Sequence, residues 1–226
     1  MDAQNIEHKS LVGNHPYKST FFCLNLARRP DRRIRAWDQF RREGLEVTRL
    51  LAPDAMGCTE PRAYRNEGAR ACGLAHRLAW RQARKTNTEL VLVFEDDVVL
   101  CDAFADRLQA VWELLPNDWM ILYFGCVFHT PPDMIAPGLL RVTGRTWDMH
   151  GYAIRKPLCD LVSRELSGLS CKSRVMGSES GPSLAERPEW WWRLDPKDRG
   201  RRRWDTACDV VLADYHKQVP AYAVWP

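Results

Sequence analysis

An α/β domain with a mostly parallel central sheet flanked by helices is the fold class this 226-residue sequence encodes. Three observations carry that expectation. Apolar runs of strand length alternate with segments of helical period from Thr20 to Phe124, in the order βαβαβαβ, which calls for parallel strands with covering helices. One run, Leu90-Val91-Leu92-Val93-Phe94, is apolar without alternation, as suits a strand covered on both faces. It ends on three successive carboxylates, Glu95-Asp96-Asp97, at the point where open α/β sheets place their ligands. Crowded carboxylates repel unless a cation or a set of donors neutralises them, so something positive belongs there; a solvated acidic turn is the plain alternative.

The elements follow in order. Residues 1–18 are polar and aperiodic, with a His15-Pro16 loop signal, and read as a flexible lead-in. Thr20–Leu26 is a strand stopped by Ala27-Arg28-Arg29-Pro30, and Pro30 suits the first turn of a helix, where a missing N–H costs nothing. Ile34, Trp37 and Phe40 give Asp31 to Glu43 an apolar face, and Gly44 stands where a left-handed residue would end the helix. Val47–Leu51 is a second strand; 53–68, with Gly57 and Pro61, is a loop. Ala71, Leu74, Ala75 and Leu78 mark a second helix, on which His76 reads as a surface or satisfied buried histidine before it reads as a catalytic one.

Beyond the central strand, Phe104, Leu108, Val111, Trp112 and Leu115 mark a third helix, and Trp119–Phe124 a strand broken by Gly125. Proline and glycine then punctuate short pieces. Leu139–Thr143 reads as an edge strand, Thr146–Ile154 as a polar-aromatic mixture containing His150, and a short helix runs from Pro157 to about Leu166. The stretch 167–203 has no period but carries Trp190, Trp191, Trp192 and the arginines Arg199, Arg201, Arg202 and Arg203. It reads as an irregular insertion in a single domain spanning 19–226, either plugged against the surface or serving as a lid. Cys208, Val211, Leu212 and Tyr215 share a helical face, and Val219–Val224 is a last strand.

Hydrophobic residues at 45% and charged residues at 27% describe a globular chain, not a disordered one. The net charge of +4 is mild, but seven arginines fall between Arg28 and Arg42, either as solvated surface or as partners for phosphate. No nucleic-acid recognition module is apparent, so no nucleic-acid partner is expected. The eight cysteines form no close pairs of metal-ligand spacing, and a zinc site is not expected. The amino terminus lacks a basic-then-apolar signal segment and no run reaches membrane-spanning length, which makes a cytoplasmic setting without a transmembrane segment the expectation.

A carboxylate cluster at a strand end, a basic loop after the first strand and no nucleophile motif suit a metal-bridged diphosphate. Mg²⁺ or Mn²⁺ takes one or two protein carboxylates and fills its shell with phosphate and water oxygens. There is no G-x-x-x-x-G-K-[ST] loop and no G-x-S-x-G elbow.

Five pieces, in this order, carry a resemblance: Cys23-Leu24-Asn25-Leu26-Ala27-Arg28-Arg29-Pro30-Asp31-Arg32-Arg33, Ala71-Cys72-Gly73-Leu74-Ala75-His76-Arg77-Leu78-Ala79-Trp80, Leu92-Val93-Phe94-Glu95-Asp96-Asp97, Asp118-Trp119-Met120-Ile121-Leu122-Tyr123-Phe124-Gly125 and His150-Gly151-Tyr152-Ala153-Ile154. Together they resemble glycosyltransferase family 25, the lipooligosaccharide and collagen galactosyltransferases, over about residues 20–166 and again from about 205; the set in order is specific where each piece alone is weak. The resemblance implies a GT-A type nucleotide-sugar-binding fold. It implies an inverting, Mn²⁺- or Mg²⁺-dependent transfer of a hexose, galactose foremost, from a UDP-sugar donor to a hydroxyl of a glycan or glycosylated acceptor.

By the same resemblance Glu95-Asp96-Asp97 stands for the Asp-x-Asp motif, with Asp97 and Asp96 as metal ligands. Asn25, Arg28, Arg29, Arg33, His76, Glu95, Asp96 and Gly151 would lie at the donor, and Asp209 would be the general base. Three departures bear on this. Ala75 replaces the family's serine before His76, Met120 stands where a second acid is usual, and only His216 is available as the carboxy-terminal histidine that closes many such metal sites. A nucleotidyltransferase, or a sugar-nucleotide or partner-binding domain without turnover, are the rival readings.

Overall fold

The computed structural model describes residues 17–54, 67–165 and 208–224. The body of the expected 53–68 loop, the lead-in through residue 16 and the irregular 167–203 stretch lie outside these residues. The described elements run β1 (Ser19–Leu26), α1 (Pro30–Arg42), β2 (Thr48–Ala52), α2 (Glu67–Ala83), β3 (Leu90–Glu95), α3 (Phe104–Leu114), β4 (Ile121–Phe128), β5 (Asp133–Ala136), β6 (Leu139–Val142), β7 (Thr146–Arg155), α4 (Lys156–Glu165), α5 (Cys208–Ala213) and β8 (Ala221–Val224).

The strands form one sheet in the order β2-β1-β3-β7-β4-β8-β6-β5. β2, β1 and β3 are mutually parallel, as are β4 and β8, while β7 runs antiparallel between β3 and β4 and β6 antiparallel to β8 and β5. The α/β architecture follows the expectation, and all described strands but β7 and β6 point one way. What sequence order did not reveal is that β3 and β4 are separated by a strand formed later. β7 hides its nature because its first half alternates imperfectly, with Asp148 in the left-handed region (φ 60°) interrupting the pleat, and only Gly151–Ile154 is continuously buried.

Two further expectations are corrected. Leu139–Thr143 was expected at the edge, but β6 is paired on both sides and the short β5 is the edge strand. Gly125 does not end β4, which continues to Phe128 through two register shifts against β7, so the glycine marks an irregularity in pairing.

The sheet is covered on both faces. Phe22, Leu24, Val91, Val93, Tyr152 and Ile154 pack with Ala75, Ala79 and Trp80 of α2 and with Leu158 and Val162 of α4. The alternate set, Phe21, Cys23, Leu90, Leu92, Phe94 and Ala153, packs with Ala36 and Phe40 of α1 and Phe104 and Leu108 of α3. Consecutive residues of β1 and β3 thus enter opposite layers, the period-two rule of a strand, and every residue from Leu90 to Phe94 is inaccessible to solvent. On α1 the buried positions are Ala36 and Phe40; Ile34, expected on that face, is 58% exposed because it falls on the opposite side of the turn.

Tyr17 and Lys18, ahead of β1, are tied to the body of the fold. Glu89 and Leu90 donate their backbone N–H groups to Lys18 O, and the ring of Tyr17 lies edge-on to Trp119 beneath the Arg155 guanidinium. Among the described residues no helix is long and apolar enough to cross a membrane.

α1 ends as its sequence requires. Gly44 takes φ 66°, its N–H bonds Arg41 O at 3.2 Å, and Leu45 N–H bonds Phe40 O at 2.8 Å, with both Leu45 and Phe40 buried in the same layer. This is a Schellman closure, and a Cβ at Gly44 would meet nothing within 4 Å. Gly44→Ala is therefore expected to destabilise through backbone strain alone, by about 1 kcal/mol, read as a lower urea midpoint at unchanged m-value.

Candidate functional site

Three neighbouring strands end at one place. β1 and β3 pair in register with Leu24 opposite Glu95, so Asn25 lies just beyond the same row as the acidic turn. β7 runs the other way with Gly151 opposite Phe94, which brings the preceding residue, His150, to that end of the sheet. Val98 N–H bonds back to Glu95 O at 3.2 Å and closes a turn that carries Asp96 and Asp97.

The three carboxylates divide their partners. Asp96, 7% exposed, accepts from Asn25 Nδ2 at 2.6 Å and from Arg32 Nη1 at 3.2 Å. Arg49 on β2 donates Nε and Nη2 to Asn25 Oδ1 at 2.9 and 2.6 Å, which fixes the amide so that its nitrogen donates to Asp96 and to Arg29 O. Asp97 accepts from Arg32 Nη1 at 2.9 Å and lies 3.5 Å from His150 Nδ1. The His150 hydrogen bond outweighs burial and, with Arg32, holds the Asp97 carboxyl below its ordinary range, while Asp97 pushes the His150 imidazole up. Glu95 Oε1 faces inward, 3.1 Å from His76 Nε2 and 3.8 Å from Cys72 Sγ. One ligand atom each of Glu95, Asp97 and His150 falls within 4.8 Å of the others.

The residues expected at the site are distributed as follows. Asp97 stands with Glu95 and His150, whereas Asp96 turns to Asn25 and Arg32. Arg28 pairs with Asp54 at 2.7 Å, and Arg29 makes a forked pair with Asp31 at 2.9 and 2.7 Å. Arg33 is exposed on α1. Gly151 faces the core: a Cβ there would lie 3.2 Å from the Phe94 ring and 3.3 Å from the Phe124 ring, which stack on each other. Asp209 is half-buried at the start of α5, beside Cys208. Arg32, Arg49 and His150 were not singled out; only the register of β1, β2 and β7 brings them in, although the chain position of Arg32 in the first turn of α1, facing the acidic turn, is a usable signal.

His76 is wholly buried and so touches Glu95 rather than solvent. Its Nδ1 lies 3.0 Å from the Tyr152 hydroxyl, which also accepts from Trp80 Nε1 at 2.9 Å, so the absence of a serine at Ala75 leaves neither ring nitrogen without a partner. Burial opposes charge on the ring, but the hydrogen bonds to Cys72 and Glu95 outweigh it and push the imidazole up to about 9. Cys72 in turn lies 3.9 Å from Cys208 Sγ; that contact lowers the Cys72 thiol and raises the Cys208 thiol.

His216 is elsewhere. Its Nδ1 lies 2.8 Å from Gly144 O, which can only accept, so Nδ1 carries the proton and Nε2 accepts from the Tyr123 hydroxyl at 2.7 Å. Both nitrogens are engaged in the core, and it does not close a metal site with Asp97.

Comparisons with known proteins bear on this geometry. Residues 18–137 match the sequence model described as Glycosyltransferase family 25 (LPS biosynthesis protein). The chain is 28% identical over 176 residues to "Inactive glycosyltransferase 25 family member 3" of Homo sapiens, covering 66% of this chain and 29% of that protein. It is 30% identical over 159 residues to "Glycosyltransferase 25 family member" of Aedes aegypti (60% and 26% covered) and 29% identical over 140 residues to "Procollagen galactosyltransferase 2" of Mus musculus (51% and 22% covered). The matches span less than a third of the length of these relatives. Among solved structures, a glycosyltransferase involved in glycosylation of the major capsid of PBCV-1 aligns over 92% of both chains at 10% identity with a TM-score of 0.40.

Two outcomes follow from the packing. Gly151→Ala forces the two phenylalanine rings apart and is expected to cost about 1–3 kcal/mol of stability, measured by denaturant unfolding. His216 is held neutral by burial, its pKa lowered, so its contribution is present above the unfolded value of about 6.5 and is lost as pH falls through the lower folded value. The wild-type urea midpoint should fall as the pH drops from about 6.5 toward the lower folded value, and His216→Gln should remove part of that slope.

Proposed function

Because the chain belongs to glycosyltransferase family 25, we propose that it moves a hexose, galactose foremost, from a UDP-sugar to a hydroxyl of a glycan acceptor, with inversion and with a divalent cation. The observation that carries this reading is the convergence of Glu95, Asp97 and His150 beyond the carboxyl end of β3, with the Arg32 guanidinium on the same carboxylates.

The donor set fits a cation. Two carboxylates and one imidazole suit Mn²⁺ better than Mg²⁺, which prefers oxygen alone. The half-exposed Asp97 and His150 leave room for further oxygens, from phosphate or water. Glu95, Asp97 and His150 would hold the cation, and when bound it supplies Lewis-acid stabilisation of the departing diphosphate.

The remaining work belongs to the chain's own groups. Arg32 presents a guanidinium beside the acidic turn, suited to phosphate oxygens. Arg49 and Asn25 lock Asp96, so the turn is fixed before substrate arrives. Asp209 takes the acceptor hydroxyl's proton as general base. Its placement is supported by its neighbour, since Cys208 Sγ lies 3.9 Å from Cys72 Sγ, itself 3.8 Å from Glu95 Oε1.

A second reading has one observation in its favour: relatives from human, rat and cow carry names marking them inactive or probably inactive. In that reading the domain binds a sugar nucleotide without turnover.

Turnover of UDP-galactose with Mn²⁺ separates the two. Asp209→Ala should lower kcat by about 10²–10⁴-fold while leaving Mn²⁺-dependent stabilisation by UDP intact, and Asp97→Ala should abolish that stabilisation in a thermal-shift assay. Wild-type rates in both variants would remove the mechanism. Stabilisation by UDP and Mn²⁺ without turnover on any acceptor would favour the binding domain.

A further inference from the structure

The sugar-transfer reading leaves a second cluster unused. Cys72 and His76 lie four residues apart on α2, one helical turn, and so present their side chains on one face. Cys208 opens α5 and brings its sulfur to the same point from 136 residues away. Both cysteines are free of disulfides, and one ligand atom from each of the three residues falls within 4.8 Å of the others. His76 and Cys208 are buried and Cys72 half-buried.

We propose that Cys72, His76 and Cys208 form a structural zinc site, with Glu95 Oε1 in the fourth position. Zn–S bonds of about 2.3 Å and Zn–N and Zn–O bonds of about 2.1 Å set tetrahedral edges of about 3.8 Å between two sulfurs, 3.6 Å between sulfur and oxygen and 3.4 Å between nitrogen and oxygen. The corresponding distances are 3.9 Å from Cys72 Sγ to Cys208 Sγ, 3.8 Å from Cys72 Sγ to Glu95 Oε1 and 3.1 Å from His76 Nε2 to Glu95 Oε1. His76 is also held from behind: its Nδ1 lies 3.0 Å from the Tyr152 hydroxyl, which accepts from Trp80 Nε1 and keeps a second lone pair for Nδ1–H in the tautomer whose Nε2 ligates.

Chemistry distinguishes this cluster from the one on the other side of Glu95. Two thiolates and an imidazole select a borderline-soft cation, whereas the Asp97 side offers carboxylate oxygens and one imidazole. Zn²⁺ takes the cysteines as thiolates and the imidazole with Nε2 unprotonated, and the protons these groups carry leave to solvent, so affinity rises with pH. The bound ion ties α5, and with it Asp209, to α2 and to the end of β3. Spacing within the sequence hides the site because its ligands are a C-x-x-x-H pair and one remote cysteine rather than two close cysteine pairs.

The full chain, purified under reducing conditions and stripped of metal, is titrated with Zn²⁺ against a chromophoric chelator and, separately, with Co²⁺. One equivalent of Zn²⁺ per chain, a thiolate-to-cobalt charge-transfer band and a raised melting temperature are expected. Cys72→Ser, Cys208→Ser and His76→Gln should each weaken Zn²⁺ binding by at least about 100-fold, the upper end of what loss of an outer-sphere partner costs. Far-ultraviolet circular dichroism identifies variants that fold, and Cys208→Ala serves if a serine variant does not. Asp97→Ala should keep its zinc, so failure of the sugar-transfer reading and failure of this one are separable. Zn²⁺ binding no tighter than in the Cys72→Ser/Cys208→Ser double variant, a cobalt spectrum without the sulfur band, or a Cys72–Cys208 disulfide formed in preference to metal uptake would overturn the proposal.

Discussion

The constraint on which the rest of this structure depends is the negative charge at the end of β3. A strand whose five apolar residues are sealed from water on both faces delivers three carboxylates to one turn, and each must be compensated where it stands. Asp96, the most buried, is met by Asn25 and Arg32; Asp97 by Arg32 and His150; Glu95 by His76. These partners come from β1, α1, α2 and β7, so the site is where most of the central elements meet rather than an addition to their surface.

This explains an asymmetry among the arginines. The amino-terminal arginines look interchangeable in sequence, yet Arg28 and Arg29 are occupied with Asp54 and Asp31 at the surface, and Arg32 and Arg49 reach inward. An exposed ion pair contributes little to stability, so Arg28 and Arg29 remain free to exchange partners for a phosphate at small cost. Arg49 cannot do so, since its guanidinium sets the orientation of the Asn25 amide and through it the position of Asp96.

Much of the fold was legible because burial on both faces leaves an unambiguous mark. Leu90–Phe94 reads as a central strand from its unbroken apolar run, and Pro30 and Gly44 bracket α1 through backbone geometry that few other residues supply. β7 was not legible, because Asp148 breaks its pleat and its exposed half carries polar residues; with β7 unseen, His150 had no assigned place beside Asp97. The same limit hid the second cluster, since Cys72 and Cys208 become neighbours only when α5 packs on α2 and β7. His216 shows the converse, a histidine that chain order makes available but that Tyr123 and Gly144 claim for the core.

The central claim is that the compensated acidic turn holds a divalent cation through Glu95, Asp97 and His150. Electron paramagnetic resonance of Mn²⁺ during titration of the protein in the presence of UDP tests it directly. Loss of the free hydrated signal at one equivalent in the wild type, and its persistence in His150→Gln and in Asp97→Asn, is the expected result. A signal that remains that of hydrated Mn²⁺ with the wild-type protein, or one quenched equally in the wild type and both variants, would contradict it.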